Sequence, residues 1–136
     1  MTEVLAFESD SALTAQAASD IAGLLRSAIS ERGNARLVLT GGTLGIKILG
    51  DLAKQNLDLQ NLDIFFGDER FVALDHADRN EHQGLAAWPE LASAKLHRFP
   101  ANDQPLAGAA QAFDSVIEDV LGPINAETAA FDVVIL

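Results

Sequence analysis

Two stretches of this 136-residue chain hold residue types that can do chemistry together. The first is "LTGGTLG", residues 39–45, placed between an apolar run and a segment with helical spacing. A loop that leaves a strand and opens a helix presents unpaired backbone N–H groups at the positive end of the helix dipole, where an anion can sit. Gly41 and Gly42 allow a close backbone approach, and the Thr43 hydroxyl can donate or cap. The spacing is not that of a P-loop, and no G-x-G-x-x-G is present. Taken locally, a tight turn built from Gly41, Gly42 and Gly45 explains the cluster as well as an anion site does.

The second stretch is "FFGDERFVALDHADRN", residues 65–80. Gly67 closes an apolar run, so Asp68, Glu69 and Arg70 fall at its carboxyl end, where open α/β sheets bind ligands. Arg70 suits bidentate recognition of a phosphate or carboxylate. Asp68 can orient a base, accept a bond from a substrate hydroxyl, or act as the base. An Asp–Arg surface pair within ordinary turn chemistry is the competing explanation. His76, His82 and His97 have no metal-ligand spacing and read as solvated polar residues. Lys47, one turn into the helix after the glycines, is within reach of an anion bound there, but such a lysine is more often a solvated surface residue.

The elements that must position these stretches alternate along the chain. The run "EVLAF" (3–7) is short and apolar. A helix follows Ser9 or Asp10, with Leu13, Ala17, Ile21, Leu24, Leu25 and Ala28 on one face, and stops at Gly33-Asn34. "ARLVLT" (35–40) is a strand, and Thr43 to about Asn56 a helix with Leu44, Ile48 and Leu52 inward. "LDIFF" (62–66) is a strand too apolar to have a wet face. A helix within 76–88 ends at Pro89, and "KLHRF" (95–99) is a weaker strand. Residues 104–121 carry Leu106, Ala110, Phe113, Ile117 and Leu121 at helical spacing. The final run, "FDVVIL" (131–136), is a strand expected to be buried on both faces. This order predicts one α/β domain over residues 1–136, a mostly parallel sheet with helices on both faces. A ligand-binding loop is expected after a strand such as the last one, so either the chain is a fragment with its sheet incomplete at the C-terminus, which is the favoured expectation, or this strand is the last element and lies at an edge.

Composition narrows the partners. Nine basic against twenty acidic residues give a net charge of −11, which disfavours nucleic acid and anionic membranes. An anion site would need a locally positive pocket. There are no cysteines, which excludes disulfides, thiolate metal sites and cysteine nucleophiles. No signal-peptide pattern or membrane-length apolar run is present, making the cytoplasm the default compartment.

Together, "LVLTGGTLGIKIL", "DIFFGDERFVALDHADRNEHQ" and "FDVVIL" resemble the 6-phosphogluconolactonase family in order and spacing, across the whole chain. The resemblance implies a Rossmann-like fold shared with glucosamine-6-phosphate isomerases/deaminases. It implies hydrolysis of 6-phospho-D-glucono-1,5-lactone to 6-phosphogluconate in the oxidative pentose phosphate pathway, without metal or organic cofactor. By the same resemblance, Gly41, Gly42 and Thr43 line the sugar-phosphate pocket and Asp68 and Arg70 are catalytic-site residues. Arg70 also contacts phosphate, and Arg79 and Asn80 flank the pocket. Two departures stand out. The common Gly-Gly-Ser-Thr-Pro is here Gly-Gly-Thr-Leu-Gly, so the hydroxyl survives and the helix-starting proline does not. The family's catalytic histidine lies in an Asp-Gly-His segment after the strand resembling "FDVVIL". None of the three histidines here aligns with it, and the chain alone is expected to have little or no activity. An isomerase/deaminase of the same superfamily, or a non-catalytic sugar-phosphate binding domain, are the alternatives. The former usually carries Asn-Met-Asp-Glu-Tyr where this chain has Gly-Asp-Glu-Arg-Phe.

Overall fold

The computed structural model describes residues 1–123 and 130–136. Its elements run α1 (Asp10–Arg32), β1 (Ala35–Leu39), α2 (Gly42–Leu52), β2 (Leu62–Phe66), α3 (Asn80–Ala87), β3 (Lys95–Leu96), α4 (Leu106–Leu121) and β4 (Val133–Val134). The four strands form one parallel sheet in the order β3-β2-β1-β4.

Period-two side-chain alternation gives the sheet two apolar faces. Leu37, Leu39, Leu62, Ile64 and Phe66 point to one face and pack with Leu25 of α1 and Leu49 and Leu52 of α2. Val38 and Phe65 point to the other and meet Phe113 and Ile117 of α4. Every residue of β2 is buried, as its composition requires. β2 is central and β1 lies beside it, so the loops leaving these two strands emerge side by side at one end of the sheet.

Local signals set the helix limits. Ser9 caps α1 through a 3.2 Å bond from the Ala12 N–H. Gly33, at φ 84°, ends it in the left-handed conformation that glycine adopts without a Cβ penalty. The Thr14 hydroxyl of α1 donates to Asp51 of α2 at 2.7 Å, fixing how the glycine-loop helix lies on its neighbour. Hydrogen bonds from Lys54 and Thr14 hold the Asp51 carboxyl below its ordinary value. A depressed folded value stabilises above the unfolded pKa of about 3.9 and is lost as pH falls through the folded value. Acid unfolding of Asp51→Asn, compared with the unaltered chain, is therefore expected to differ least at the most acidic pH and most above pH ~4.

Several expectations are corrected. Residues 3–7 form no strand, and Val4 and Leu5 are exposed; a short apolar run has no ladder unless a neighbouring edge pairs with it. Leu24 and Leu44 face outward, because the contact stripes pass instead through Ala22 and Leu25 and through Gly45 and Leu49. β3 shrinks to two residues. β4 does too, and it is not buried on both faces: among the described residues it pairs only with β1, and Val134 is 47% exposed. At an edge, only one flank of the strand is covered.

Candidate functional site

Three segments meet at the carboxyl ends of β1 and β2. The Gly67 N–H donates to the Leu39 carbonyl at 2.8 Å, which keeps the two strands joined up to the point where their loops begin. Beyond them lie the glycine loop (40–43), the Asp68-Glu69-Arg70 turn and the first turn of α3.

Each glycine has its own reason. Gly42, at φ 77°, occupies the left-handed region. Gly45 sits in α2 where a Cβ would come within 2.8 Å of Thr40 Cγ2 and 3.0 Å of the Thr40 carbonyl, so it permits close packing of the helix on the preceding strand end. Gly41 is the N-cap of α2 and supplies no side-chain cap, and the first turn of α2 carries no acidic residue. Its missing Cβ is the space taken by the Asn80 amide: a Cβ there would overlap Asn80 Oδ1 and lie 2.7 Å from Asn80 Cγ.

Asn80 is thereby wedged against the glycine loop while its Nδ2 donates to Asp68 twice, to the backbone carbonyl and to Oδ1, each at 3.0 Å. The structure thus brings Gly41, Asn80 and Asp68 into one contiguous group. Asp68, Thr43 and Arg70 are exposed. Arg70 also lines a cleft of about 170 Å3 with Phe71, Phe99 and Leu106.

Arg79, expected to flank the pocket, is a buried residue. Its side chain is 0% exposed and points into a buried ionic group: Nη2 donates to the Phe99 carbonyl at 2.8 Å and to Glu81 at 3.3 Å, and Nε lies 3.8 Å from Glu69. Glu81 completes the group through Arg98 at 2.9 Å. Buried carboxylates need a cation beside them: Arg79 serves both Glu69 and Glu81, and Arg98 serves Glu81 as well.

Glu69, given no role from its sequence context, is the residue that reasoning missed. With its side chain 3% exposed, it caps α3 from eleven positions upstream. Oε1 accepts the Asn80 N–H at 2.7 Å and Oε2 the Glu81 N–H at 3.0 Å. A capping box would have shown in the sequence; a cap supplied from another loop leaves no local pattern.

Other candidates lie elsewhere. His97 is not simply solvated: its Nε2 is 2.7 Å from Asp63 Oδ1 and its ring stacks on Phe65. Asp63 is three residues before the end of β2, about 10 Å back along the strand. His76 and His82 are exposed, and His76 Nδ1 accepts the Asp78 N–H. Lys47 pairs with Asp10 at 3.2 Å. Among the described residues no cluster of His, Asp or Glu could hold a metal ion, and no helix is long and apolar enough to cross a membrane.

Comparison with known proteins agrees with this architecture. Residues 8–136 match the family model described as Glucosamine-6-phosphate isomerases/6-phosphogluconolactonase. The chain is 33% identical to a 6-phosphogluconolactonase of Mycobacterium leprae, over 93% of this chain and 55% of that protein. It is 41% identical to one of Pseudomonas aeruginosa, over 79% and 46%. The crystal structure of a 6-phosphogluconolactonase from Shewanella baltica superposes with a TM-score of 0.76 at 29% identity, covering 94% of this chain and 53% of that one. The chain thus spans about half the length of the curated relatives it matches. On the family match and on a parallel sheet whose strand ends gather the glycine and Asp-Glu-Arg loops, this chain belongs to the glucosamine-6-phosphate isomerase/6-phosphogluconolactonase family.

Proposed function

We propose that this chain supplies the sugar-phosphate anchoring part of a 6-phosphogluconolactonase, EC 3.1.1.31, which hydrolyses 6-phospho-D-glucono-1,5-lactone to 6-phosphogluconate in the pentose phosphate pathway. The observation that carries the proposal is the junction of Gly41, Asn80 and Asp68, which ties an uncapped helix N-terminus to the loop bearing Arg70. Backbone N–H groups at Gly42 and Thr43 and the Arg70 guanidinium are the cationic and donor groups available to a phosphate in an otherwise acidic protein. Asp68 accepts a hydrogen bond from Asn80 and is thereby oriented, suited to accept a sugar hydroxyl or to orient the attacking water. Asn80 serves the pocket as its wall. In the reaction, water adds to the lactone carbonyl, the ring C–O bond breaks, and the freed ring oxygen takes a proton. Arg79, buried in its ionic group, supports the pocket from beneath.

The 6-phosphogluconolactonase names of the relatives favour lactone hydrolysis over deamination within the family. Calorimetry with 6-phosphogluconate is expected to show binding to this chain, and Arg70→Ala to weaken it by about tenfold or more through loss of charge-assisted bonds. Binding unchanged by Arg70→Ala would remove Arg70 from the anchor. Release of ammonia from glucosamine 6-phosphate, without lactone hydrolysis, by a protein containing this chain would move the assignment to the isomerases.

A further inference from the structure

We infer that Glu69 is a positioning residue for this site, acting through the first turn of α3 and not through contact with the ligand. The inference rests on the sugar-phosphate reading of the same pocket. One buried carboxylate receives three backbone N–H groups: Arg70 at 2.8 Å and Asn80 at 2.7 Å on Oε1, and Glu81 at 3.0 Å on Oε2. It therefore fixes the main chain on both sides of the pocket at once. On one side it holds Arg70, whose guanidinium is offered to the phosphate. On the other it holds Asn80, whose amide orients Asp68 and fills the space left by Gly41.

The charge matters as much as the shape. The carboxylate meets the positive end of the α3 dipole and the Arg79 guanidinium. A neutral amide of the same size has one acceptor oxygen and one donor nitrogen. In Glu69→Gln a donor therefore faces a backbone N–H, and at least one amide of Arg70, Asn80 or Glu81 loses its partner. The Asp68–Asn80–Gly41 contact loosens without removal of any group that touches the ligand. Small misplacements of anchoring groups carry large penalties in binding and rate.

The test compares Glu69→Gln with Leu91→Ala. Leu91 is fully buried beyond the other end of α3, and its truncation destabilises the domain without altering the loops. All proteins are studied in the full chain, at a temperature where each is folded. Glu69→Gln is expected to weaken 6-phosphogluconate binding by about tenfold and selectively to speed hydrogen exchange at the Asn80 and Glu81 amides. Leu91→Ala is expected to leave the affinity unchanged. A Glu69→Gln chain that binds as the unaltered chain does, or loses no more affinity than Leu91→Ala, overturns the inference. If the unaltered chain binds no 6-phosphogluconate, the sugar-phosphate reading fails on its own. Exchange then decides about Glu69: selective acceleration at Asn80 and Glu81 supports its hold on the loop, and unchanged exchange overturns it.

Discussion

Gly41→Ala is expected to cost the chain its sugar-phosphate affinity and to destabilise it by about 1–3 kcal/mol, the range for overpacking a filled site. The backbone itself tolerates alanine, since Gly41 sits at φ −88°. The penalty is therefore steric: the new methyl overlaps the Asn80 amide. A flexible side-chain end could swing away cheaply, but this one is held by two bonds to Asp68 and by its own N–H on Glu69. To admit the methyl, Asn80 must release Asp68. Adding Asn80→Ala to Gly41→Ala removes the overlapping atoms, so urea unfolding of the double variant is expected to show a smaller loss than the two single variants summed. Additive losses would mean that the glycine and the asparagine are not packed as described.

The second large effect lies beneath the site. Arg79→Met is expected to destabilise the fold by about 3–5 kcal/mol, because it leaves the buried Glu69 without its cation and strips Glu81 of one of its two. Glu69 and Glu81 are 3% and 6% exposed in their side chains, and water cannot replace the guanidinium there. Against a typical total of about 5–15 kcal/mol for a folded domain, that loss is visible as a large drop in the urea midpoint. Neutralising a carboxylate as well, in Arg79→Met with Glu81→Gln, is expected to recover part of it. A single-variant loss below about 1 kcal/mol, the scale of an exposed pair, would contradict the buried arrangement. The result also separates two roles for one arginine. A phosphate ligand would change affinity and leave stability alone, whereas the buried position predicts the reverse ordering of effects.

Much of the architecture was legible because it follows from short-range rules. The run Leu62–Phe66 has no polar face to expose to water except Asp63, and it became the central, fully buried strand. Ser9 and Gly33 bracket α1 through capping chemistry that acts within a few residues. Gly67 at the end of an apolar run placed Asp68, Glu69 and Arg70 at the carboxyl end of the sheet, since a parallel strand's end is fixed by its direction alone. What misled was apolarity without context. "EVLAF" and "FDVVIL" have strand composition, but a strand exists only where another edge supplies its hydrogen bonds, and burial depends on what covers each flank. The first therefore stays unpaired and the second lies half covered at an edge.

The same division holds at the site. The residue types, the order of the loops and the end of the sheet on which they lie were set by sequence, because strand direction and glycine chemistry are local properties. Which arginine faces solvent and which is entombed, and which carboxylate caps α3, were decided only by the tertiary fold. Arg70 and Arg79 are equally charged and equally basic in the sequence. Glu69 lies eleven positions from the amide it caps. Burial and hydrogen-bond partnership across such separations depend on how β2, α3 and the Phe99 segment pack, and neither spacing nor composition encodes that packing.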